Sequence, residues 1–191
     1  IDMKEKKATG FVGVPIIFRS FLENYKEDFF SCNNNLRYML TNSAPMPKKL
    51  ALQLLEIFPK TQIYTYYGLT EASRSSFIEF HTDRDFLNSI GKATPGVDLK
   101  IYNNVGNECG SNEVGEFNVR GASVAKGYIS KKNILSADGW FKTGDIGYKN
   151  EEDYIFLTGR KTDVINIGGR KVSPIEIEGF VNYLPEIEDC A

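Results

Sequence analysis

Six positions, Tyr66 to Glu71, put two aromatic rings, a glycine, a hydroxyl and a carboxylate close together in the stretch IYTYYGLTEAS. The faces of Tyr66 and Tyr67 can stack on a flat base. The Thr70 hydroxyl can reach a phosphate oxygen, and the Glu71 carboxylate can hold Mg²⁺. Gly68 lets a chain turn sharply at the end of a strand. In open α/β sheets the carboxyl edge of the strands is where ligands bind. Taken by itself, the stretch also fits a core strand that ends in a polar turn.

Two further segments carry chemistry. In WFKTGDIG, Asp145 follows Gly144 in what reads as a tight turn, and a carboxylate fixed there can accept both hydroxyls of a ribose. In LTGRKTDVINIGGRKVSPIEIE, two Gly-Arg-Lys steps flank an apolar stretch, and Arg160 can grip ribose or phosphate oxygens with two N–H groups. The GGRK step is not a Walker phosphate loop, because Val172 stands where Ser or Thr must follow Lys171. Each segment alone is also an ordinary turn or a solvated basic loop.

Composition limits what these groups can be doing. The 191 residues are 41% hydrophobic and 25% charged, as in a globular protein, with a net charge of -2 that offers nucleic acid no basic footprint. His81 is the only histidine, which argues against a histidine metal centre and against a Ser-His-Asp arrangement. Cys32, Cys109 and Cys190 are too far apart for a disulfide framework or a zinc knuckle. No apolar run approaches the roughly 20 residues of a membrane span, and the first residues lack the apolar core of a signal peptide. A cytoplasmic protein is expected. The start without Met and the acidic end read as a piece of something longer.

The pattern around the candidate residues is α/β. Val14, Ile17, Phe18 and Phe21 predict a helix over 13–24, and Leu50, Leu54, Ile57 and Phe58 predict a second helix ending near Pro59. Strands are predicted at 36–40 and 63–67, so helices and strands alternate as in a parallel sheet. Beyond Gly91, short strands sit between Asn, Gly and Asp turns, which predicts antiparallel pairs. Ser173 and Glu176 form a capping-box pattern around Pro174, ahead of an apolar stripe of Ile177, Phe180, Val181 and Leu184. The expected division is 1–90 as the end of an α/β subdomain, 91–158 as a β-rich subdomain and 159–191 as a hinge with the start of a small α+β domain.

The order of the motifs is more specific than any one of them. NSAPMPKKL, YTYYGLTEAS, SIGKATPGVDLKIYN, GEFNVRGASVAKGYI, DGWFKTGDIGY and YIFLTGRKTDVINIGGRKVSPIEIE resemble successive motifs of the adenylate-forming enzymes. That superfamily comprises acyl- and aryl-CoA synthetases, peptide-synthetase adenylation domains and firefly-luciferase-like proteins. The resemblance runs from about Gly10 to near the end. It implies that a carboxylate attacks the α-phosphate of ATP, giving an acyl-adenylate, and that a thiol, usually of coenzyme A, then takes the acyl group.

Position by position, the resemblance puts Ser43, Ala44 and Pro45 in the adenine pocket, with Tyr66 and Tyr67 flanking the base. Gly68 and Leu69 lie near the acyl group, Thr70 touches the α-phosphate and Glu71 holds Mg²⁺. Asp145 takes the ribose hydroxyls with help from Arg160, and Gly168, Gly169, Arg170 and Lys171 face the site in the thioester-forming state. Gly159–Thr162 resembles the hinge between large and small domains, although the family usually has Asp or Lys where Thr162 stands. The family's β- and γ-phosphate loop is expected upstream of Ile1 and its catalytic lysine beyond Ala191, so the chain alone is expected to be inactive. A fatty or aryl carboxylate is the expected substrate. A peptide-synthetase adenylation domain and a catalytically dead nucleotide-binding module are the alternatives.

Overall fold

A computed structural model describes residues 2–44, 46–130, 133–168, 170–181, 184, 187 and 190. A short helix, α1 (Asp2–Glu5), precedes the first strand, β1 (Gly10–Gly13). Then follow α2 (Pro15–Asn24), α3 (Lys26–Phe30), β2 (Tyr38–Thr41), α4 (Lys48–Ile57) and β3 (Gln62–Tyr67). Pro15 opens α2, where its missing N–H costs nothing, and Phe18 on that helix is buried. On α4 the pattern of Leu50, Leu54 and Leu55 supplies the face that packs on the sheet. Phe29, Met39, Phe58, Ile63 and Ile78 complete this first core.

The sheet is mixed, not wholly parallel. β1, β2 and β3 run parallel, but β4 (Ser76–Glu79) returns antiparallel on β3, and β5 (Lys92–Ala93) pairs antiparallel with β4. The reason lies in connection length. Only residues 68–75 separate β3 from β4, too few for the crossover that a parallel pair requires. β1 was not among the predicted strands, because its Gly-Phe-Val-Gly carries little strand signal.

A second sheet of β6 (Val97–Tyr102), β7 (Gly115–Gly121), β8 (Phe141–Lys149) and β9 (Ile155–Arg160) is an antiparallel meander, as the turn-rich sequence predicted. β10 (Ile165–Ile167) pairs with β11 (Arg170–Val172), and α5 (Pro174–Val181) follows. The Ser173 hydroxyl donates to the Thr158 carbonyl. The expected stripe on α5 is not a packed face: Phe180 is 73% exposed, and Ile177 and Leu184 are exposed too. Among the described residues no helix is long and apolar enough to cross a membrane.

The two cores interlock. Tyr67, the last residue of β3, belongs to the second core with Leu99, Ile101, Phe117, Val119 and Ile155. Ile90 N–H donates to the Ile155 carbonyl (2.8 Å), and Ile155 N–H donates to the Gly91 carbonyl (2.9 Å). Nearby, Tyr154 stacks on Phe86 (3.8 Å) and its hydroxyl donates to Asp83 Oδ1 (2.6 Å).

Burial and the Asp83 bond push the Tyr154 hydroxyl up to about 12. An unfolded tyrosine titrates near 10, so the folded state holds this proton more tightly. The corresponding stability is fully present below about pH 10 and is lost as pH rises through about 12. Tyr154→Phe is expected to lower stability by about 1 kcal/mol at neutral pH. The gap to wild type should narrow between pH 10 and 12, read as denaturant midpoints across that range. A gap that stays constant would contradict the assignment.

Candidate functional site

The carboxyl ends of β2 and β3 open on a cavity of about 380 Å³. Four chain segments meet there: the turn after β2 with Ser43 and Ala44, the end of β3 with Gly68 and Leu69, the stretch 87–90 ahead of β5, and the facing parts of β8 and β9. The cavity lies where β3 has a parallel neighbour on one side and an antiparallel one on the other. In open α/β sheets the carboxyl ends of the parallel strands are where ligands bind.

Asp145 is the electrostatic centre of this wall. Only 3% exposed, it sits inside β8 and not in the tight turn expected from Thr-Gly-Asp. Its Oδ2 accepts the Tyr67 hydroxyl (2.5 Å), and its Oδ1 pairs with Arg160 Nε (3.0 Å). Asp145 and Arg160 are direct partners across β8 and β9, so the pairing register itself brings them together. Burial, and then the bond to Asp145, raise the Tyr67 hydroxyl far above its ordinary value, so it remains a donor at any physiological pH. A carboxylate accepts at about four lone-pair positions, so Asp145 keeps capacity for a ligand's hydroxyls beside these two partners.

Tyr66 and Tyr67 meet different partners. Successive residues of a strand point to opposite faces, and β3 alternates between buried and half-buried positions. Tyr67 turns toward Asp145 and packs edge-on against Phe117 (6.0 Å). On the other face, Tyr66 receives a hydrogen bond from the Asn42 amide and lies beneath the Arg74 guanidinium (5.3 Å). Both rings nevertheless border the same cavity, Tyr67 beside Asp145 and Tyr66 beside Asn42.

Gly68 is required by its neighbours. A Cβ there would stand 2.6 Å from the Arg74 backbone nitrogen. The chain folds back at this point through reciprocal bonds between Leu69 and Ala72, Leu69 N–H to the Ala72 carbonyl (2.9 Å) and Ala72 N–H to the Leu69 carbonyl (3.2 Å). Thr70 and Glu71 therefore occupy the two tip positions, Thr70 exposed and Glu71 half-buried. Ser43 and Arg74 both adopt left-handed backbone (φ 70° and 51°), which non-glycine residues hold only where the surroundings enforce it.

A loop that carried no assigned role in the sequence reading meets Glu71. Ala125 N–H donates to the Glu71 carbonyl (2.7 Å), Val124 bridges Ala72, and the Tyr128 hydroxyl donates to Glu71 Oε1. That bond raises the Tyr128 hydroxyl above its ordinary value. Among the described residues no group of three or more His, Cys, Asp or Glu could cage a metal. A single carboxylate at an exposed turn suits Mg²⁺, which keeps several waters and is commonly shared with phosphate oxygens. Tyr128→Phe is expected to lower the Mg²⁺-dependent part of ATP affinity about threefold while leaving Mg²⁺-free AMP affinity unchanged, as read by calorimetry. Equal losses in both would contradict that division of roles.

Ser43, Ala44, Tyr66, Tyr67, Gly68, Leu69, Asp145 and Arg160 all border the one cavity. Thr70 and Glu71 stand on the adjoining turn. Lys171 lies on β11, but its side chain, like Pro45 and Gly169, lies outside the described residues. The sequence reading passed over Asn42, Arg74, Tyr128 and Thr143. Asn42, Tyr128 and Thr143 fall inside the motif segments and Arg74 directly after one, but Asn42, Tyr128 and Thr143 have partners distant in sequence that leave no local trace.

The fold is that of adenylate-forming enzymes. It superposes on the o-succinylbenzoate CoA synthetase of Bacillus subtilis in complex with the acyl-adenylate intermediate OSB-AMP with a TM-score of 0.85 at 27% identity, covering 98% of this chain and 38% of that one. The same enzyme in complex with ATP and magnesium ion gives 0.83 at 26%, covering 98% and 39%. The AMP-binding enzyme family model matches residues 1–129, and the chain belongs to that family. Acyl-CoA ligase sidI of Aspergillus fumigatus is 35% identical over 196 aligned positions, covering 97% of this chain and 33% of that protein. 4-Coumarate--CoA ligase-like 8 of Arabidopsis thaliana is 31% identical, covering 82% and 29%. The chain thus spans about a third of the length of the curated relatives it matches.

Proposed function

We propose that these 191 residues form one wall of the nucleotide site of an ATP-dependent carboxylate–CoA ligase. The observation that carries this is the Tyr67–Asp145–Arg160 group, held on the same cavity as the Gly68 turn that presents Thr70 and Glu71. Asp145 accepts the ribose hydroxyls. Arg160 stabilises that carboxylate and offers further donors to ribose or phosphate oxygens. Ser43, Ala44 and Pro45 border the base, Tyr67 lies against its edge, and Gly68 and Leu69 lead toward the acyl group. Lys171 belongs to the loop that serves the thioester step.

The attacking carboxylate is already an anion, so the reaction asks for no general base. Rate comes from holding it in line with the α-phosphate and from neutralising phosphate charge. Thr70 binds an α-phosphate oxygen, and Glu71 is the residue that would hold Mg²⁺. When bound, the ion supplies charge neutralisation to the phosphates. The chain divides into the segments 1–90, 91–158 and 159–191, with the hinge at Gly159–Thr162. The acyl group is fatty or aryl, and coenzyme A is the acceptor.

The chain spans about a third of its relatives' length, and the 191 residues by themselves are expected not to catalyse adenylation at a useful rate. Pyrophosphate release with ATP, Mg²⁺ and a panel of carboxylic acids tests this. The expected result is background release. Robust turnover would show that the 191 residues suffice.

A further inference from the structure

Between the pairs Asn118↔Lys142 and Glu116↔Ile146, β8 advances twice as many residues as β7. Thr143, Gly144 and Asp145 therefore lie opposite Phe117 alone, forming a bulge at the point where the candidate carboxylate sits. Gly144 takes a positive φ of 77° within it. Thr143 is buried, 8% exposed, and lies behind the cavity wall, not on it. Its hydroxyl donates to the Phe117 carbonyl (3.0 Å) and accepts the Asp145 N–H (3.0 Å). One hydroxyl thus ties together a carbonyl and an amide that the irregular ladder separates. On the other edge of the bulge, Lys161 N–H donates to the Gly144 carbonyl (2.8 Å). With both ties made, the Asp145 carboxylate meets Tyr67 and Arg160 together.

We propose that Thr143 is a positioning residue that sets the Asp145 carboxylate, so that preference for a nucleotide carrying ribose hydroxyls depends on a side chain that does not touch the ligand. This rests on the role given to Asp145 under the proposed function. Valine is close to threonine in shape but has no hydroxyl, so Thr143→Val removes both hydrogen bonds with little change in volume. Thr143→Ser keeps the hydroxyl.

The test has two arms on the 191-residue chain. In calorimetry with AMP and 2′,3′-dideoxy-AMP, Thr143→Val is expected to lose about tenfold in AMP affinity and less than about twofold for the dideoxy nucleotide. Thr143→Ser should keep the wild-type preference. Without nucleotide, the Asp145 amide should exchange with solvent about tenfold faster in Thr143→Val and at the wild-type rate in Thr143→Ser. Equal losses for the two nucleotides, an unchanged preference, or an unchanged Asp145 exchange rate in Thr143→Val would each overturn the positioning role. A wild-type chain that binds both nucleotides equally would instead overturn the ribose role of Asp145. The exchange arm would still decide whether Thr143 holds that residue.

Discussion

Asp145→Ala is expected to abolish measurable AMP binding, a loss of at least about 100-fold. Hydrogen bonds to a charged group contribute about 1.5–3 kcal/mol each, and the variant removes the acceptor for both ribose hydroxyls. It also leaves the buried Tyr67 hydroxyl without its carboxylate partner and releases Arg160 from its ion pair. The orphaned hydroxyl costs about 1–3 kcal/mol of stability, so thermal unfolding must be measured on the same sample. The chain should remain folded at 25 °C, a little less stable and unable to bind. Tyr67→Phe separates the two effects, because it leaves the carboxylate in place and removes only one donor. Undiminished AMP affinity in Asp145→Ala would remove Asp145 from the ribose site.

The largest expected effect on stability is at Gly91. It has a φ of 81°, and a Cβ added there would lie 2.0 Å from the Phe77 carbonyl oxygen. The residue cannot simply shift, because its carbonyl accepts from Ile155 and its N–H donates to Ser89 Oγ (3.1 Å). It is the backbone joint between β4 of the first sheet and β9 of the second. Left-handed strain and the clash together should cost Gly91→Ala about 3–5 kcal/mol, a fall in melting temperature of roughly 10 °C or more. A melting temperature within a degree of wild type would show that the two sheets are not joined in this way.

How much of this was legible in the sequence depends on the range of the interactions. The α2 and α4 helices, the end of β3 at Gly68 and the β-rich character beyond Gly91 are local patterns of period or turn chemistry, and they appear where the sequence predicted them, although Ile17 of the expected α2 stripe is exposed. β1 escaped because its signal is weak, and β4 because nothing local says that a strand will reverse. Asp145 stands out in the sequence as a carboxylate next to a glycine, but its setting is a strand and not a tight turn. The bulge that holds it depends on Phe117 across the ladder, and its ion pair on Arg160 of β9, neither of which a window around Thr-Gly-Asp contains. The two tyrosines border one cavity, but their separate partners, Asn42 for Tyr66 and Asp145 for Tyr67, lie far along the chain and leave no trace in the stretch itself. Tyr128 stands 57 residues from Glu71, and only folding makes them neighbours.

A second cavity, about 570 Å³ and bordered by Asn103, Glu116, Lys161 and Ser173, offers an internal comparison for the central claim. Titrating the isotope-labelled chain with AMP and following backbone amide shifts would locate the nucleotide directly. Saturable shifts are expected at Ser43 and Ala44, at Tyr67 to Leu69, and at Asp145, Gly159 and Arg160. Shifts that fail to saturate, or that gather around Asn103 and Lys161 while these positions stay still, would contradict the nucleotide wall proposed here.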